Sequence, residues 1–151
     1  FEIALACDII IASDKATFAL PEPKVGLAAL AGGLHRLPRQ IGLKRAMGMI
    51  LTGRSVPAAE GKELGFVHQV VPAAELAAAA RALADTMLAL SPLSLRASKQ
   101  VVMRGLDTPS LEEAYSGQMK HPAVQALWRS EDLKEGPLAF AQKRKPEWKG
   151  R

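Results

Sequence analysis

From residue 32 onward, glycines and prolines divide the chain into apolar segments that can be helices but never long ones. Proline fixes φ and lacks a donor, so it opens a helix more readily than it continues one; glycine accepts left-handed backbone and ends helices. Gly32-Gly33 precedes Leu34 to Ile41, Gly42 separates that segment from Leu43 to Thr52, and Gly53 closes the second. Pro57 opens a short helix to Leu64, with Gly65 as a left-handed stop and Phe66 packing back. Pro72 to Leu90 reads as an amphipathic helix, with Leu76, Leu83, Met87 and Leu90 on one stripe. Ser91-Pro92 caps and starts another helix that Gly105 ends, and Thr108-Pro109 repeats the signal. The tail from Trp128 to Arg151 is charged, with Leu133, Leu138, Phe140 and Trp148 spaced through it.

Residues 9 to 30 follow a different pattern, of short strands and turns. Asp8-Ile9-Ile10-Ile11-Ala12 is a β-branched run closed by Ser13-Asp14-Lys15, and Ala16 to Leu20 is a second one, ended by Pro21-Glu22-Pro23. The two prolines predict a stiff, extended connection carrying Glu22. Val67 to Val71 reads as a further strand. The composition shift near residue 53 separates 1–53, strand and turn, from 54–151, mostly helical. With no Ser/Gly linker and no internal repeat, the two are expected to form one integrated unit.

Apolar residues at 48% and charged residues at 23% are ordinary for a soluble globular chain, and no run approaches a membrane span. The apolar opening lacks a basic leader and is interrupted by Glu2 and Asp8, so it is not read as a signal peptide. Net charge is +5, which suits an anionic ligand. Nucleic acid is not expected as a partner, because aromatics are only 5% and most basic residues are interleaved with acids. Cys7 is the only cysteine, which excludes an intrachain disulfide, fits a cytoplasmic location, and is expected to be buried and inert. His35, His68 and His121 lack metal-site spacing. The chain opens on Phe1 inside a patterned segment, so an upstream half is expected.

Two carboxylates stand in apolar surroundings, Glu2 in F-E-I-A-L-A and Glu22 in L-P-E-P. Each has an ordinary reading: Glu2 can complement a helix dipole, and Glu22 can be a solvated turn residue. As a pair they gain another. Two carboxylates facing one cavity can divide acid and base roles, which adding water across a polarised double bond requires.

The stretches F-E-I-A-L-A-C-D-I-I-I-A, F-A-L-P-E-P-K-V-G-L, A-G-G-L-H-R-L-P-R-Q-I-G, L-T-G-R-S-V-P-A-A-E-G, L-G-F-V-H-Q-V-V-P and E-G-P-L-A-F-A-Q-K-R-K-P-E-W-K-G-R closely resemble the enoyl-CoA hydratase (crotonase) family along the whole chain. The resemblance implies an α/β fold: the end of a ClpP/crotonase-like ββα spiral, then a helical oligomerisation region forming a trimer or a dimer of trimers. Such proteins run to roughly twice this length. The implied reaction is syn addition of water to a 2-trans-enoyl-CoA, of the kind used in fatty-acid β-oxidation, with an acyl-CoA thioester as substrate. CoA is then part of the substrate, and no separate cofactor, metal or membrane is implied.

By the same resemblance Glu2 is the base toward water and Glu22 gives a proton to the α-carbon. Leu30 replaces a family glycine whose N–H helps hold the attacking water; a leucine there narrows the acyl pocket and disfavours left-handed backbone. Phe140 and Lys143 match positions that reach a neighbouring subunit and contact the adenine and phosphate end of CoA. The oxyanion hole of the family is built from two backbone N–H groups that would lie upstream of Phe1, so the isolated chain is expected to be inactive. The ending S-E-D-L-K-E-G-P-L-A-F-A-Q-K-R-K-P-E-W-K-G-R is also similar to carnitinyl-CoA dehydratases, which makes crotonobetainyl-CoA hydration the alternative. A non-catalytic member kept for acyl-CoA binding or assembly is a further one.

Overall fold

The computed structural model describes residues 1–151. Nine α-helices, four short strands and connecting 3-10 turns pack as two compact units, Phe1–Leu83 and Ala84–Arg151.

In the first unit, β1 (Ile11–Ser13) pairs in parallel with β4 (Gln69–Val71), Ala12 opposite Val70. The ladder is extended by His68 N–H to the Ile10 carbonyl and Asp14 N–H to the Val71 carbonyl. β2 (Thr17–Phe18) pairs antiparallel with β3 (Val56–Pro57), Phe18 opposite Val56. Helices α1 (Glu2–Ala6), α2 (Gly33–Ile41), α3 (Leu43–Thr52) and α4 (Ala58–Leu64) surround these pairs. Leu5, Leu20, Leu37, Met49 and Val56 are the largest fully buried side chains of the core. As the glycine pattern predicts, α2, α3 and α4 end at Gly42, Gly53 and Gly65, all at positive φ.

α1 has only five residues, too few to persist alone. Its start is held by an aromatic cluster, with the Phe1 ring 5.2 Å from that of Phe18 and 4.9 Å from that of Phe66. Gln40 of α2 donates to the Leu5 carbonyl (3.1 Å) at its other end. Phe66 packs back on α4 as the sequence predicts, so closely that a Cβ on Gly61 would stand 2.8 Å from its ring.

The Pro21-Glu22-Pro23 segment is not extended. Glu22–Val25 is a 3-10 turn, Pro21 at its cap and Pro23 in its first turn, where a missing donor is not felt. Lys24 N–H donates to the Pro21 carbonyl and Leu27 N–H to that of Glu22.

The second unit begins within α5 (Leu76–Leu88) and contains α6 (Pro92–Leu106), α7 (Leu111–Gly117), α8 (Pro122–Arg129) and α9 (Asp132–Ala141). Ser91 caps α6 by accepting from Ser94 N–H, as predicted. α7 is capped by Ser110, accepting from Glu113 N–H, rather than at Thr108-Pro109, and α6 passes through Gly105 to end at Leu106. α6 packs on α8, and Gln100 accepts from Ala123 N–H at the start of α8. No single helix is long and apolar enough to cross a membrane.

Two helical glycines should respond oppositely to a methyl group. Gly48→Ala, with open space around its Cβ direction, should stabilise the fold by about 0.5–1 kcal/mol through helix propensity. Gly61→Ala should destabilise it by about 1–3 kcal/mol, because the Phe66 ring must move. Urea unfolding of both variants measures the contrast; equal shifts would show that the ring yields freely.

Candidate active site

α1 brings Glu2 onto the start of α2. The Gly33 N–H donates to Glu2 Oε1 at 2.8 Å, a charge-assisted bond at a helix N-terminus. Such bonds contribute about 1.5–3 kcal/mol. The approach requires glycine: a Cβ at position 33 would stand 3.0 Å from Glu2 Cγ, from its Oε1 and from Leu20 Cδ2. Gly32 before it sits at φ 111°, with the Arg36 guanidinium folded over it and donating to the Ala31 carbonyl (3.1 Å). The Gly32-Gly33 pair is thus a packing device beside Glu2.

Glu22 opens the 3-10 turn, and its Oε2 is buried without a hydrogen-bond donor from the protein. A fully solvated turn residue would keep both oxygens in water, whereas half-buried Glu22 has one of its two enclosed. An unpartnered buried carboxylate oxygen costs about 1–3 kcal/mol or more, and is where a donor from a bound molecule gains most.

Leu30 lies on the loop between these elements, its side chain exposed and its N–H turned to the Ala28 carbonyl (2.9 Å). It does not adopt a left-handed conformation; the positive φ of the loop falls on Gly32. The expected strain at Leu30 is therefore absent, and its N–H is already engaged within a tight turn.

Phe140 and Lys143 belong to the second unit. Phe140 is 87% exposed on α9, unusual for a ring of that size. Lys143 follows the helix at φ 55°, the one non-glycine residue in the left-handed region. No set of three His, Cys, Asp or Glu side chains is grouped to hold a metal. Cys7, expected to be buried, is exposed: α1 turns Leu5 into the core and leaves Cys7 at its outer end, Sγ donating to the Ile3 carbonyl (3.5 Å).

The sequence reading missed how α9 anchors the tail. Asp132, only 3% exposed, accepts from Lys149 and Gly150 N–H and from the Ser91 hydroxyl. Glu135 accepts from both Arg144 terminal nitrogens (2.6 and 2.8 Å) and from Glu147 N–H (2.7 Å). The Arg144 bond, then the Glu147 amide, lower its pKa from 4.5 to about 2. The signal was the spacing of Asp132 and Glu135 on one helix face, within a tail read only as charged.

A sequence profile described as enoyl-CoA hydratase/isomerase matches residues 1–151. Carnitinyl-CoA dehydratases from Proteus mirabilis and Escherichia coli K12 are each 44% identical over 155 aligned residues, covering 100% of this chain and 58% of theirs. The crystal structure of enoyl-CoA hydratase from Mycobacterium tuberculosis H37Rv superposes with a TM-score of 0.92 at 38% identity, over 99% of this chain and 58% of that one. An enoyl-CoA hydratase structure from Geobacillus kaustophilus HTA426 gives 0.92 at 40% identity, over 99% and 57%. The fold is therefore crotonase-like, and the chain spans little more than half the length of these relatives.

Glu135 titrates lower folded than unfolded, so the stability it confers is present above pH 4.5 and lost as pH falls toward about 2. Glu135→Gln should lower the urea midpoint at about pH 7 and narrow the gap to the parent at about pH 3. A gap constant with pH would show that the carboxylate charge contributes nothing.

Proposed function

The chain belongs to the enoyl-CoA hydratase/isomerase family, and from that premise we propose that the protein hydrates a 2-trans-enoyl-CoA to the 3-hydroxyacyl-CoA. The observation that carries the reading is the buried, unpartnered Oε2 of Glu22, on the turn that follows β2, in a unit whose other withdrawn carboxylate, Glu2, is oriented by the Gly33 amide. Two half-buried carboxylates in one unit, one oriented by an amide and one with an enclosed oxygen, suit an acid and a base.

In this mechanism Glu2 takes a proton from water as the oxygen bonds to the β-carbon. The double-bond electrons move toward the thioester oxygen, and Glu22 gives a proton to the α-carbon. Exchange of both carboxyl groups with solvent leaves one H and one OH across the former double bond. Two backbone N–H donors hold the enolate oxygen, each contributing about 3 kcal/mol; they belong to a segment preceding Phe1. The 151 residues alone are then inactive. Phe140 offers its exposed ring to the adenine of a CoA held by a neighbouring subunit, and Lys143 its ammonium to the phosphates. The substrate is the only CoA involved, and the full-length protein works as a trimer or a dimer of trimers.

The 44% identity to carnitinyl-CoA dehydratases over the whole chain favours a second reading, hydration of crotonobetainyl-CoA by the same two acids. Comparing kcat/KM of the full-length protein for crotonyl-CoA and crotonobetainyl-CoA separates the two. Glu2→Gln and Glu22→Gln should each lower kcat at least about a hundredfold on the better substrate. Gly33→Ala, which keeps both acids and displaces Glu2, should lower it about ten- to a hundredfold. Acyl-CoA binding without turnover of either substrate would overturn both readings in favour of a non-catalytic member.

A further inference from the structure

α1 and α2 hold each other by a reciprocal pair of bonds between side chain and backbone. Glu2 of α1 accepts from the Gly33 amide of α2 (2.8 Å), and Gln40 of α2 donates through Nε2 to the Leu5 carbonyl of α1 (3.1 Å). Gly33 and Gln40 lie about two turns apart on one face of α2, so the bonds grip α1 at two points along a single helix edge. A five-residue helix leaves its last carbonyls without intrahelical donors. That of Ala4 accepts from the nearby Cys7 amide, whereas that of Leu5 depends on a side chain 35 residues away. Other contacts keep α1 in place without setting its rotation. The Leu5 side chain is buried in the core and the Phe1 ring rests on Phe18 and Phe66, but apolar contact is not directional. At the far end of α1, packing gives way to a cavity of about 270 Å³ lined by Cys7, Ile10, Gln40, Gly65 and Phe66. Gln40 therefore stands at the edge of open space, where its donor counts for more than its volume. Water entering that cavity can meet the Leu5 carbonyl, so loss of the donor costs the fold little and frees the helix to turn.

We propose that Gln40 is a positioning residue for the reaction: by holding the Leu5 carbonyl it sets the rotation of α1, and so the direction in which Glu2 presents its second oxygen to water. The proposal rests on the hydratase reading above, in which Glu2 is the base. Gln40 binds the far end of α1 from Glu2 and reaches the chemistry only through that helix. A misaimed base loses rate rather than binding, because only proton transfer from water needs the aligned geometry. A neutral amide suits the task, since it satisfies a carbonyl and adds no charge to alter the proton affinity of the base.

The test uses the full-length protein with crotonyl-CoA or crotonobetainyl-CoA, whichever it turns over faster. Gln40→Met, of similar length and without a donor, should lower kcat about five- to tenfold with KM within about twofold. In a Glu2→Gln background the same substitution should change kcat by less than about twofold, because the group it aims is already gone. Thermal melts of parent and variant should nearly coincide. Gln40→Asn, one methylene shorter and unable to span to the carbonyl, carries the same expectations should Gln40→Met fail to fold. An unchanged kcat in both Gln40 variants, beside a hundredfold loss in Glu2→Gln, overturns the positioning role and leaves the hydratase reading standing. Full activity in Glu2→Gln overturns that reading and the proposal with it. An equal loss of kcat in the parent and Glu2→Gln backgrounds, or a raised KM at constant kcat, would show general loosening and also overturn the proposal.

Discussion

The absence of a side chain at position 33 is the constraint on which the first unit depends. The Glu2 carboxylate reaches the first amide of α2 only because no Cβ stands between them, with Leu20 closing the same gap from another side. A helix of five residues has little stability of its own, so α1 takes its orientation from what it touches. Its aromatic cap rests on Phe18 and Phe66, and the Gly33 amide and the Gln40 side chain hold its two ends along α2. Because the last two contacts come from one helix, Glu2 cannot shift without α2.

The two carboxylates of this unit are held in opposite ways. Glu2 is fixed by a donor and keeps its second oxygen for another. Glu22 is fixed by its backbone, in a turn bounded by prolines, while Oε2 is enclosed without a donor. A group that already accepts from an amide is oriented for a water, whereas an enclosed oxygen without one gains most from a molecule that brings its own hydrogen-bonding partner. The asymmetry lies in the environments, since the side chains are identical.

Much of this was legible in the residues, for local reasons. Gly42, Gly53 and Gly65 end helices wherever the chain is read, because left-handed backbone is a property of the residue itself. The Pro21-Glu22-Pro23 segment was misread as extended because proline rules concern interior donors, while both prolines here occupy the start of a turn, where donors are unused. The anomaly of Glu2 and Glu22 was visible as charge in apolar sequence, but the amide that holds Glu2 lies thirty-one residues away, and no local pattern encodes that meeting. Cys7 was misplaced because an apolar run does not say which face of a short helix is covered. Lys143 was legible as a cation and not as a left-handed residue, since that conformation belongs to the cap of α9, where the Arg144 amide donates back to the Ala139 carbonyl.

The same physical solution recurs in both units. The chain has little β-structure to absorb the polar groups of its irregular segments, so their amides find acceptors elsewhere. Carboxylates projecting from helices supply those acceptors: Glu2 for Gly33, Asp132 for Lys149 and Gly150, Glu135 for Glu147. A carboxylate offers several lone-pair directions from one side chain, so it can fasten a segment that follows no ladder. Glu22 is the exception, a carboxylate with an enclosed oxygen that fastens nothing. Where the other acids drawn out of water serve as fasteners, an enclosed carboxylate oxygen left without a bond is the one whose place structure alone does not explain.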